Sequence, residues 1–152
     1  MLRQNINQTF SSVFLVVSLS LCSLNAFSDS TAEVEFMQGA GTDTFTVTAS
    51  PRECIGYVSP WTLQIVPEYS QTMTIRYLKK DHFCSLNPSI ELFEVQNNQH
   101  PYKIALFKWL LRSGAGEQPS VTEVHDPDGF LSFDTDNPEH IKVKISYSHQ
   151  HQ

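Results

Sequence analysis

The feature that most constrains the fold is a repeated alternation of apolar and polar side chains. In FTVTA (45–49), Phe45, Val47 and Ala49 share one parity while Thr46 and Thr48 take the other. WTLQI (61–65) sets Trp61, Leu63 and Ile65 against Thr62 and Gln64, and TMTIRYL (72–78) aligns Met73, Ile75 and Tyr77. IKVKISY (141–147) aligns Ile141, Val143, Ile145 and Tyr147 against Lys142, Lys144 and Ser146. Successive side chains of a strand point to opposite faces, so the pattern belongs to strands with one face buried and one in water. That state is commonest in antiparallel sheets. Shorter candidates are VEF (34–36), IELFEV (90–95), VTEV (121–124) and FLSF (130–133), separated by turn-rich pieces such as QGAGTD, SPRECIGYVSP, QNNQHP and SGAGEQPS. The spacing predicts an all-β chain, an antiparallel β-sandwich of about eight or nine short strands, with a β-barrel as the alternative.

One stretch reads two ways. In HPYKIALFKWLLRSGAG (100–116), Ala105, Phe107, Trp109 and Leu111 alternate as in a strand, whereas Ile104, Phe107 and Leu111 share a helical face with Gly114 beyond its end. The surrounding pattern favours a strand; the alternative is a sandwich with one short helix near 102–112. The same stretch is basic and amphipathic, which admits a membrane-active, toxin-like reading.

The N-terminal residues carry a different signature. A polar start with Arg3 leads into an apolar run from Val13 to Leu24, followed by NAFS with small residues at Ala26 and Ser28. This is the layout of a secretory signal peptide over residues 1–28, too short for a permanent membrane span, with cleavage expected before Asp29. Cys22 follows Leu21, not the small residue a lipoprotein signal requires. The expected mature chain, 29–152, suits a single β-sandwich domain. It keeps two cysteines, Cys54 and Cys84, and in an exported chain they are expected to form a disulfide.

Charge is placed unevenly. Without Arg3, nine basic residues face sixteen acidic ones, and seven of the acids lie from Glu117 to Glu139 in a segment without Lys or Arg. That field argues against nucleic acid or an anionic membrane surface as a partner, and admits a cation or a basic protein surface. Within it, DPDG (126–129) has turn chemistry: Pro127 presets φ and Gly129 takes a positive φ, so VTEV and FLSF are expected to form a hairpin. Asp126, Asp128, Asp134, Asp136 and Glu139 are the candidate ligands for Ca²⁺. They match no EF-hand order, since Phe130 stands where a third ligand belongs. A strand at FLSF would also hold its two flanking loops at opposite ends. A turn followed by a solvated acidic loop is the simpler expectation, with a divalent-cation-dependent module or small metal-dependent hydrolase using segment 117–140 as the alternative.

His125 and His140 bracket the acidic segment, and His149 and His151 sit in the tail, but no GxSxG, HExxH or Gly-rich phosphate motif accompanies them. No cofactor is expected. Tyr57 and Trp61, in GYVSPW beside Cys54, are candidate ligand-binding aromatics on a pinned loop, against the plainer expectation that Trp61 faces inward on the following strand. Together these features point to an exported, non-enzymatic binding or recognition module for a protein or glycan partner, in the periplasm or the extracellular space of a bacterium.

Overall fold

The structure is a computed structural model describing residues 30–78, 84, 88–112 and 119–146. The expected signal peptide, the expected turn around Gly114 and the His149–His151 tail lie outside these residues. The described chain contains ten strands and no helix. They are β1 (Ser30–Gln38), β2 (Phe45–Pro51), β3 (Ile55–Ser59), β4 (Thr62–Ile65), β5 (Ser70–Tyr77), β6 (Ser89–Asn97), β7 (Ile104–Arg112), β8 (Ser120–His125), β9 (Leu131–Asn137) and β10 (His140–Ile145).

Two five-stranded sheets form, in the orders β3-β5-β1-β10-β9 and β4-β2-β6-β7-β8. Every pairing is antiparallel except that of β1 with β10, which run parallel. Neither sheet closes on itself, so the architecture is a β-sandwich and not a barrel. β4 lies against β5 and β3 against β2, which puts the edges β3 and β4 on one flank; β8 and β9 touch on the other.

The alternation sorts the residues as the periodicity requires. Phe45, Val47 and Ala49 of β2, Met73, Ile75 and Tyr77 of β5, and Ile141, Val143 and Ile145 of β10 all point inward and are buried. The ambiguous stretch is strand β7, and Ala105, Phe107, Trp109 and Leu111 are its core face. Three central strands meet through aromatic rings: Phe93 of β6 stacks on Phe107 at 4.7 Å, and Phe36 of β1 meets Phe93 edge-on at 5.7 Å. Offset and edge contacts of this kind suit the ring quadrupole and add to the area they bury.

Three expectations need correction. β3 was read as part of a turn-rich piece; its pairing with β5 shifts register between Ile55 and Tyr57, and Val58 is its one fully buried side chain, so no alternation marks it. β8 and β9 do not form a hairpin, because β8 pairs with β7 in one sheet and β9 with β10 in the other. The DPDG turn does form, with Gly129 N–H donating to the Asp126 carbonyl at 3.1 Å and Gly129 at φ +63°, but it carries the chain between sheets. Finally, Asp134 and Asp136 are not in a loop: β9 runs through Asn137, and the chain reverses at Pro138 and Glu139.

Candidate functional site

The aromatic flank begins at the disulfide. Cys54 and Cys84 are bonded, with Cα atoms 5.5 Å apart. Cys54 sits at φ +58° in the β2–β3 turn, a left-handed conformation few non-glycine residues adopt. The turn also stitches the two sheets: Arg52 N–H donates to the Ile90 carbonyl, Ile90 N–H to the Glu53 carbonyl, and Leu78 N–H to the Cys54 carbonyl. Chain leaving this turn is therefore held at its root by one covalent bond and three backbone hydrogen bonds.

Tyr57 lies not in a loop but on β3, opposite Arg76 of β5 and 44% exposed. Trp61 is 54% exposed, although Leu63 and Ile65, which share its parity, are buried. The inward reading of Trp61 fails because β4 begins at Thr62. Residues 60 and 61 are still crossing from one sheet to the other, so strand parity does not yet govern the indole. Its backbone is nonetheless fixed, since the Trp61 carbonyl accepts the Ala49 N–H at 2.9 Å. Tyr57 and Trp61 thus stand at the shared edge of the two sheets. Two further exposed tyrosines, Tyr69 before β5 and Tyr102 in the β6–β7 turn, gave no sequence signal beyond their polar surroundings.

The described part of the acidic segment, 119–139, occupies the opposite flank, and Glu117 lies outside the described residues. Glu123 lies on β8, Asp126 and Asp128 in the β8–β9 connection, Asp134 and Asp136 on β9, and Glu139 in the β9–β10 turn. Most of these carboxylates have local work. Asp126 accepts the backbone N–H groups of Phe130 and Leu131 at 3.1 and 2.8 Å, an arrangement that holds the turn. Asp128 pairs with Lys103 at 3.3 Å, Asp134 accepts the Asp136 N–H, and Glu139 accepts the Tyr77 hydroxyl at 3.1 Å. Among the described residues no group of three or more His, Cys, Asp or Glu side chains is placed to hold a metal ion. His125 and His140 end up at opposite ends of the sandwich, His125 beside Leu106 and His140 with Nδ1 3.1 Å from Glu33.

Two buried carboxyl groups were missed in the sequence. Asp43, 6% exposed, accepts from Asn97 Nδ2 at 2.7 Å, and its carbonyl accepts from Gln38 Nε2 at 2.7 Å, which ties the β1–β2 loop to the β6–β7 turn. Glu91 is the other. It shares the parity of Phe93 and Val95 in β6, is fully buried, and has no hydrogen-bond partner at either carboxyl oxygen. Burial pushes its pKa up from 4.5 to about 8, against smaller opposing effects from the backbone at Leu92 and Ser50 and from the Arg52 charge. Alternation alone could not have found Glu91, because IELFEV divides into Ile90, Leu92 and Glu94 on one parity and Glu91, Phe93 and Val95 on the other, two apolar residues and one glutamate each.

A hollow of about 240 Å³ on the outer face of the first sheet is lined by Met37, Ser132, Asp134, Lys142 and Lys144. Lys142 lies in register between Glu35 and Asp134, so neighbouring charges offset it. Lys144 lies in register between Met37 and Ser132, without a carboxylate opposite it.

The molecule is thus an all-β sandwich with an aromatic flank and an acidic flank. No protein-family model matches the chain, and no curated protein matches it. Among solved structures it is similar to the crystal structure of Abundant Perithecial Protein (APP) from Neurospora crassa, at TM-score 0.45 and 12% identity. The match covers 76% of this chain and 54% of that one, so the chain spans about half the length of that protein.

Proposed function

We propose that this protein is an exported, non-enzymatic recognition module that binds a protein or glycan partner through the flank carrying Tyr57 and Trp61. One observation carries the reading: Trp61 stays 54% exposed on a backbone held by hydrogen bonding, four residues after an exposed Tyr57 on edge strand β3. Large aromatic side chains on a rigid frame lose little conformational entropy when they bind, and they dominate the energetics of protein interfaces. Their flat apolar faces also suit stacking on sugar rings. The disulfide supports an oxidising setting, and with the N-terminal signal layout we place the protein in the periplasm or the extracellular space of a bacterium.

The test is a binding screen against arrayed glycans and against extracts of the protein's own cell surface. The wild type is compared with Tyr57→Ala, Trp61→Ala and the double variant. Loss of the central aromatic is expected to weaken binding by about 2 kcal/mol, or roughly thirtyfold, with the fold unchanged by circular dichroism. Binding that survives the double variant at full strength would contradict the proposal.

A further inference from the structure

Among the described residues both ends of the core hold buried polar groups. Near Asn97, Asp43 pairs with Asn97, and Gln38 donates to the Asp43 carbonyl but leaves its Oε1 without a partner. At the disulfide end, Glu91 and Ser89 lie two positions apart on the core face of β6, both fully buried, and Ser89 Oγ and both Glu91 oxygens lack hydrogen-bond partners. Glu91 lies in register between Pro51 of β2 and Trp109 of β7. Trp109 in turn floors a water-sized slot of about 10 Å³ between β8 and β9, bordered by Ser120, Val121, Thr135, Pro138 and Ile141. A narrow opening from the acidic flank therefore leads to the ring beside the buried carboxyl.

We infer that this end of the sandwich is a proton-operated latch: neutral Glu91 keeps the sheets closed over Trp109, and its ionisation parts them there and widens the slot. A neutral carboxyl can stay in an apolar core at modest cost, whereas an ionised one without a partner cannot. Among the described residues the surrounding charges do not rescue it. From the β2–β3 turn come Arg52, which favours the ionised form but is exposed and screened by water, and Glu53, which is exposed and of like sign. β7 contributes Lys108, on the opposite parity from Trp109. In the facing sheet, the Tyr77 hydroxyl is bound to Glu139, and Glu33, Glu35 and His140 form their own cluster on the outer face. Opening stops inboard, because the Phe36, Phe93 and Phe107 rings next along the core pack on one another. Cys54–Cys84 holds the β2–β3 turn in place, so parting of the sheets remains local.

Trp109 reports the latch directly in a Trp61→Phe background, where it is the remaining tryptophan. Acrylamide quenching is measured from about pH 6 to about pH 9, alongside far-UV circular dichroism. The latch predicts a shielded indole at the acid end, a several-fold rise in quenching centred near the Glu91 titration, and an unchanged β spectrum throughout. Glu91→Gln in the same background should stay shielded across the range, and Glu91→Leu serves if the glutamine variant does not fold. Trp109 that stays shielded at the alkaline end would overturn the inference. So would an equal rise in both Glu91 variants, or loss of the β spectrum in step with quenching.

Discussion

The unfolding free energy of this protein is expected to fall as pH rises from about 5 to about 9, and Glu91→Gln is expected to remove most of that fall. In the unfolded chain Glu91 gives up its proton near 4.5, while in the folded protein burial holds the proton until about 8. The folded state thus binds more protons between those values, and its advantage is complete below 4.5 and lost as pH climbs through 8. The slope is about 1.4 kcal/mol per pH unit where the two states differ by a whole proton. Across the full shift the loss approaches about 4–5 kcal/mol, a large part of a typical domain's stability. If the disulfide end opens first, the ionised carboxyl reaches water within the folded state and the loss is smaller, with the same sign. Urea titrations at several pH values, with and without Glu91→Gln, check this. Stability that rises with pH in the wild type, or falls equally in the variant, would be the wrong outcome.

Reducing Cys54–Cys84 is the second large perturbation. The bond closes a loop with a sequence separation of 30 residues. It stabilises the fold by about 3–4 kcal/mol, mainly by restricting the unfolded chain. In a chain of this size that corresponds to a drop in Tm on the order of 10 °C on reduction. The folded state suffers as well, because Cys54 anchors the turn whose backbone bridges Ile90 and Leu78. Differential scanning calorimetry with and without reductant measures the shift, and mass change on alkylation before reduction verifies the bond. Two thiols that alkylate without a reductant would refute the pairing.

Alternation made most strands legible because it reports which face meets the core, and nothing longer-ranged is needed. Phe45, Met73 and Ile141 could be placed inward from their neighbours alone. Sheet membership could not. The DPDG turn encodes a change of direction through Pro127 and Gly129, but whether β9 continues beside β8 or crosses to the other sheet depends on partners far along the chain. β3 was illegible because its bulge breaks the period, and Trp61 was misread because a crossing segment does not obey strand parity. Of the candidate sites, the disulfide was readable from the two cysteines that lie outside the expected signal peptide. The opposed aromatic and acidic flanks were not, since they follow from the order of edge strands in two sheets.

The exposure of Trp61 bears the functional reading, and the two tryptophans allow it to be measured against an internal reference. Trp109 is fully buried and Trp61 is 54% exposed. At about pH 6, where Glu91 is neutral, the Trp109→Phe protein retains Trp61 and the Trp61→Phe protein retains Trp109. Iodide quenching of these two proteins is predicted to be strong for Trp61, with red-shifted emission, and weak for Trp109, with blue-shifted emission. Equal shielding of the two indoles would contradict the account, because it would leave no aromatic flank for a partner to bind.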